Sequence, residues 1–164
     1  MRTGQKTKKK IKIGWFVFSC SGDNTIIMVE TMNEYWQKWR KTYDFKYARV
    51  FRNNNILKDI DIAFVEGAIA SERHKARLEL IRKESKKLVA VGSCAITGLP
   101  AGQRNSFSLE QQETIDFLLK RFAALPRVLR VSDVVKVDEI IPGCPMKSED
   151  FVKVLNKLTS QLDA

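Results

Sequence analysis

Cysteine and histidine are scarce in this chain: 164 residues hold three cysteines and one histidine. Three cysteines cannot all pair with one another, so a disulfide framework is not expected, and no Cys-x-x-Cys pair exists. Metal ligation or simple burial are the readings left for Cys20, Cys94 and Cys144. The single histidine, His74, stands among Glu72, Arg73 and Lys75 early in a predicted helix, and reads as a solvent-exposed residue, not a metal ligand. Long apolar runs are also missing. The opening MRTGQKTKKK is basic and matches neither a secretory signal nor a membrane span, so a cytoplasmic protein without a membrane span is expected. There is no internal repeat, and the only biased segment is this N-terminus. Residues 1–10 are therefore expected to be a flexible basic tail, and residues 11–164 one domain with a single core.

The formal charge of +10 raises the question of nucleic acid, with residues 2–12 as a basic arm. Elsewhere the basic residues are interleaved with acids on predicted helices, as in SERHKARLELIRKESKK, the pattern of a solvated helix face. No nucleic-acid partner is expected, and the charge is read as attraction to acidic partner proteins.

The apolar run IKIGWFVF ends abruptly at SCSGDN and predicts a buried first strand. In IIMVETMNEYWQKW, Ile26, Val29, Met32, Asn33, Trp36 and Trp39 recur at spacings of three or four, which predicts a crossover helix packed by one face. The alternation continues with a strand over 47–51, a strand in IDIAFVEGA, a helix over 71–85 and a strand in KLVAVG. After a Gly-rich stretch, Ser108 and Gln111 form a capping box for a helix through Arg121. A short strand over 136–140 follows, and Ser148 caps a last helix whose first turn holds Glu149 and Asp150, as the helix dipole favours. Near-continuous apolar strands separated by helices imply a parallel sheet covered on both faces. The expected class is α/β, a flavodoxin-like doubly wound parallel sheet.

In such a sheet the ligand site lies where the loops leaving the carboxyl ends of the strands converge. Cys20, Cys94 and Cys144 each follow a predicted strand by a few residues, so all three are expected on that rim. Three soft thiolates at one edge are a ligand set for an iron–sulfur cluster or zinc. Gly22, Gly92, Gly98 and Gly143 beside them would let backbone approach a bulky cofactor and offer N–H groups to its sulfur. The competing reading is three buried core thiols, since free cysteine is among the most buried residue types. Position favours ligation, because these cysteines sit in Gly-, Ser- and Pro-flanked loops and not within strands.

FVFSCSGDN, VEGAI at 65–69, VAVGSCAITG at 89–98 and IPGCP at 141–145 span nearly the whole domain. In order and spacing they resemble the small subunit of nickel-iron hydrogenases and its relative, the 20 kDa subunit of respiratory complex I. The resemblance implies an electron-transfer subunit of a hydrogenase, with one proximal 4Fe–4S cluster held by Cys20, Cys94 and Cys144. It places the nickel-iron centre in a partner large subunit, since this chain lacks the cysteine pairs for it. Electrons would pass on to flavin and iron–sulfur acceptor subunits. With no further cysteines after Cys144, one cluster is expected.

The family's first loop reads Cys-x-x-Cys, and the second position here is Asp23. Three readings of Asp23 stand: fourth cluster ligand, which the resemblance favours because some members carry aspartate there; N-cap of the following helix; or bystander. Complex I relatives carry adjacent cysteines in this loop, whereas Cys20 is flanked by Ser19 and Ser21, which favours the hydrogenase branch over a quinone oxidoreductase subunit. For Glu66 in VEGA, the resemblance suggests a proton relay, and the residue alone suggests a buried carboxylate held by backbone donors. Two rivals remain. A flavin carrier could cradle phosphate at SCSGDNT with Ser19, Ser21 and Thr25. A cluster-free structural subunit could keep the fold after losing one ligand.

Overall fold

The computed structural model describes residues 9–163. Most of the basic tail expected over residues 1–10 lies outside the described residues. Five strands form one parallel sheet: β1 (Ile11–Val17), β2 (Tyr43–Ala48), β3 (Ile60–Glu66), β5 (Ser85–Val91) and β7 (Glu139–Ile141). Their order across the sheet is β2-β1-β3-β5-β7, the 2-1-3-4-5 winding of flavodoxin-like folds. The order reverses between β1 and β3, so a crevice opens above their carboxyl ends.

The strands sort side chains by parity, because successive residues point to opposite faces. From β1, Ile13 and Trp15 face α1 (Asp23–Thr42) and α5 (Ser148–Asp163), while Phe16 faces the side of α2 (Glu72–Lys83). The first face holds an aromatic stack: Trp15 lies over Phe64 at 5.7 Å, and Phe151 of α5 meets both rings edge-on. Leu78 and Ile81 of α2 close the second face with Leu88 and Val131. Each large apolar side chain buried here contributes about 1.5–3 kcal/mol. All seven residues of β3 are buried, which makes it the spine of the domain.

The capping box expected for α4 (Leu109–Arg121) is present, with Ser108 Oγ accepting from the Gln111 N–H and the Gln111 side chain accepting from the Ser108 N–H. Other boundaries move. The strand expected over 47–51 is β2 at Tyr43–Ala48, because α1 runs on to Thr42 and Tyr43, Phe45 and Tyr47 then bury alternately against the sheet. Residues 49–52 form a turn closed by the Phe51 and Arg52 N–H groups on the Ala48 carbonyl. Ser148, expected as the cap of the last helix, is the first helical residue of α5. The Gly-rich stretch conceals a short helix, α3 (Gly92–Thr97). A two-stranded antiparallel ribbon of β4 (Ile69–Ser71) and β6 (Ala124–Leu129) was not expected; Pro126 in β6 hides it, and the ribbon stands apart from the main sheet. No helix among the described residues is long and apolar enough to cross a membrane.

Candidate metal centre

The segments that leave the carboxyl ends of β1, β5 and β7, a loop in the first and third cases and α3 in the second, each bring one cysteine to the same cavity of about 470 Å³. Cys20, Cys94 and Cys144 line it together with Ser21, Asn24 and Gln103. The Cys20 loop is held against the loop after β3, where the Ser19 and Ala68 backbones exchange hydrogen bonds of 3.1 and 2.9 Å. Cys94 sits in the first turn of α3, and the Ser93 N–H donates to the Gly143 carbonyl at 2.9 Å, joining the second loop to the third. Cys94 is buried, Cys20 half-buried and Cys144 exposed, so the cavity runs from the protein interior to the surface.

Cys20 is prepared on one side by a backbone donor: the Gly22 N–H points at its sulfur from 3.3 Å. Gly22 sits at φ 92°, a left-handed conformation that glycine adopts without strain, and it is the N-cap of α1. Burial, with the hydrogen bond and charge of Glu66 adding to it, pushes the Cys20 thiol up to about 12. A bare thiolate is therefore disfavoured in this cavity, and a bound metal cation is the kind of charge that would reverse that balance. Among the described residues, no three His, Cys, Asp or Glu donors converge on the position of one metal ion.

Glu66 ends β3 between Val17 and Val91 and is fully buried. Its Oε1 accepts from the Asn24 backbone N–H and from Asn24 Nδ2, both at 3.1 Å, and its Oε2 accepts from Thr25 Oγ1 at 2.6 Å. Thr25 Oγ1 in turn accepts from Trp15 Nε1 at 2.9 Å. The donors are thus partly side chains, where sequence reading expected backbone alone.

Asp23 is the first residue of α1 and not its cap, because Gly22 takes the capping position. Its Oδ2 accepts from the Ser21 hydroxyl at 2.7 Å, and Asp23 is not among the residues lining the cavity. His74, expected in solvent, is half-buried: its ring packs edge-on to Phe18 at 5.3 Å, and burial, then Arg77 and Arg73, holds its pKa below the ordinary value.

Sequence reading missed Asn24, a buried polar residue that touches two of the cysteine-bearing segments. An asparagine in a first helical turn is ordinary, so nothing local marks it.

Residues 20–158 match the family model of the NADH ubiquinone oxidoreductase 20 Kd subunit. The gamma subunit of a coenzyme F420 hydrogenase from Methanococcus voltae is 34% identical over 110 residues, covering 65% of this chain and 41% of that protein. The delta subunit of the NAD-reducing hydrogenase HoxS from Cupriavidus necator is 31% identical over 115 residues, covering 60% of this chain and 55% of that protein. The chain thus spans about half the length of the curated relatives it matches. Among solved structures, a chain of an NAD+-reducing NiFe-hydrogenase in its H2-reduced state superposes with a TM-score of 0.80 at 22% identity, covering 93% of both chains, which establishes the fold. Because the family match covers all three cysteines and most of the domain, the chain belongs to the NADH ubiquinone oxidoreductase 20 kDa subunit family.

Proposed function

We propose that this protein is the electron-transfer small subunit of a cytoplasmic nickel-iron hydrogenase, carrying electrons between the nickel-iron site of a large subunit and a further redox partner through one 4Fe–4S cluster. The observation that carries the reading is the convergence of Cys20, Cys94 and Cys144, from the ends of three separate strands, on one cavity at the carboxyl edge of the sheet. Hydrogenase subunits among the matching relatives support the choice of enzyme.

The donor set fits the group. Three sulfur ligands surround a cavity of about 470 Å³, and the Gly22 N–H already points at one sulfur, the kind of hydrogen bond that stabilises thiolates in iron–sulfur sites. When bound, the cluster would supply a one-electron relay. The chain's own part is to hold three thiolates at fixed separation and to shield Cys94, the buried one, from water. Asp23, three residues after Cys20, is our proposed fourth ligand; its Oδ2 accepts the Ser21 hydroxyl, and its Oδ1 is the oxygen proposed to reach the cluster. Glu66 is proposed as a proton-relay residue, since its hydrogen bonds connect it to Thr25 and its charge faces Cys20. The partners proposed are a hydrogenase large subunit, which would hold the nickel-iron centre, and flavin or iron–sulfur acceptor subunits.

Anaerobic purification of the chain with its co-purifying partners, followed by iron, sulfide and nickel analysis and electron paramagnetic resonance (EPR) of the reduced sample, tests this. About four irons per chain after subtraction of the partners' share, with nickel in the complex, is the expected result. Absence of iron in this chain would sink the reading, and bound flavin in its place would establish the flavin carrier.

A further inference from the structure

Asn24 has a side chain 5% exposed and occupied at both ends. Its Oδ1 accepts the Met146 backbone N–H at 2.7 Å, and its Nδ2 donates to Glu66 Oε1 at 3.1 Å. Met146 belongs to the loop that carries Cys144, closed by the bridge between Gly143 and Met146. Glu66 ends the central strand β3, and Asn24 itself stands four residues after Cys20 on α1. The third cysteine loop also meets this side chain: a Cβ at Gly92, two residues before Cys94, would lie 2.3 Å from Asn24 Nδ2. The amide therefore stands on the Cys20 segment, bonds the Cys144 loop and abuts the start of the Cys94 helix.

We propose that Asn24 is the positioning residue of the metal centre, setting the separation of the Cys20, Cys94 and Cys144 loops through a directional amide that accepts from Met146 and donates to Glu66. The inference rests on the cluster reading above. The physical reason is that parallel strands place their loops on one rim but leave loop-to-loop spacing free, and a cluster tolerates little error in that spacing. Van der Waals packing would hold a distance, whereas a buried amide with both ends satisfied also fixes an orientation, because any rotation leaves a buried donor or acceptor unpaired. Asn24 does not contact the metal; its effect passes through the loops it joins.

The test uses the full chain in its complex, compared as wild type, Asn24→Ala, Asn24→Asp and the double variant Asn24→Asp/Glu66→Gln. Readouts are the rate of iron loss to a chelator, the EPR line shape of the reduced cluster and its reduction potential. Asn24→Asp keeps an acceptor for the Met146 N–H but sets two carboxylates against each other, while the double variant removes that repulsion and leaves the residue-24 backbone N–H, which donates to Glu66 Oε1 in the wild type, facing an amide instead of a carboxylate.

Iron loss about 10- to 100-fold faster in Asn24→Ala and Asn24→Asp, with altered EPR line shapes and partial recovery in the double variant, is expected. Wild-type iron retention, line shape and potential in both single variants would overturn the proposal. If Asn24→Ala does not fold, Asn24→Asp and its rescue carry the test. Wild-type protein without iron would instead remove the cluster reading, and this proposal with it.

Discussion

The Ser21 hydroxyl donates to the Asp23 carboxylate at 2.7 Å, three residues after Cys20. The carboxylate is thus held beside the cavity and not within its lining. Ligation by Asp23 would use its other oxygen or exchange the Ser21 bond for one to iron. A carboxylate is a harder donor than a thiolate, so the iron it holds should be the most labile. Asp23→Cys is expected to slow iron loss and to shift the reduction potential, read by chelator challenge and redox titration. Identical lability and potential would remove Asp23 from the ligand set.

Gly92 begins α3 at φ 81°, and a Cβ there would meet Asn24 Nδ2. Gly92→Ala should therefore destabilise the domain by at least about 1–3 kcal/mol through backbone strain alone, with displacement of Asn24 in addition. Urea denaturation measures the first effect and iron content the second. An unchanged midpoint would mean that the loop relaxes freely.

Phe151 carries α5 into the sheet. Fully buried, it meets Trp15, Trp39 and Phe64 edge-on at centroid distances of 5.7, 5.8 and 5.2 Å. Phe151→Ala leaves a cavity at the centre of this cluster and is expected to cost about 3–5 kcal/mol in a thermal or denaturant melt. A loss below about 1 kcal/mol would show that α5 contributes little to the core.

Asp138 supplies a pH dependence. Burial alone would raise its pKa, but the Leu88 N–H at 2.8 Å and the Arg82 guanidinium at 2.6 Å outweigh that and hold it below the ordinary aspartate value. A carboxyl depressed in the folded state contributes stability that is fully present above its unfolded pKa and is lost as pH falls through the folded one. Stability should accordingly decline below about pH 4 in the wild type. Asp138→Asn should lower stability at neutral pH and flatten that decline. Parallel pH profiles for the two proteins, measured by denaturant melts, would dissociate Asp138 from the effect.

The sequence by itself determined the winding of the fold and the rim on which the cysteines lie. Apolar β-branched runs and helical spacings are local signals, and a parallel sheet sends every loop after a strand to the same edge. IKIGWFVF before Cys20 and KLVAVG before Cys94 were enough for that, and the capping box of Ser108 and Gln111 was legible for the same reason. Boundaries such as Tyr43–Ala48 were less legible, because α1 and β2 adjoin without a turn residue between them.

Tertiary structure decided what depends on partners far away in the chain. Whether His74 is exposed was settled by Phe18, 56 residues earlier, packing beside it. Asn24 looked like any residue of a first helical turn until Met146 and Glu66 closed on its two ends. Hydrogen bonds of that kind join residues that only the completed sheet brings together, and no window of sequence contains both partners.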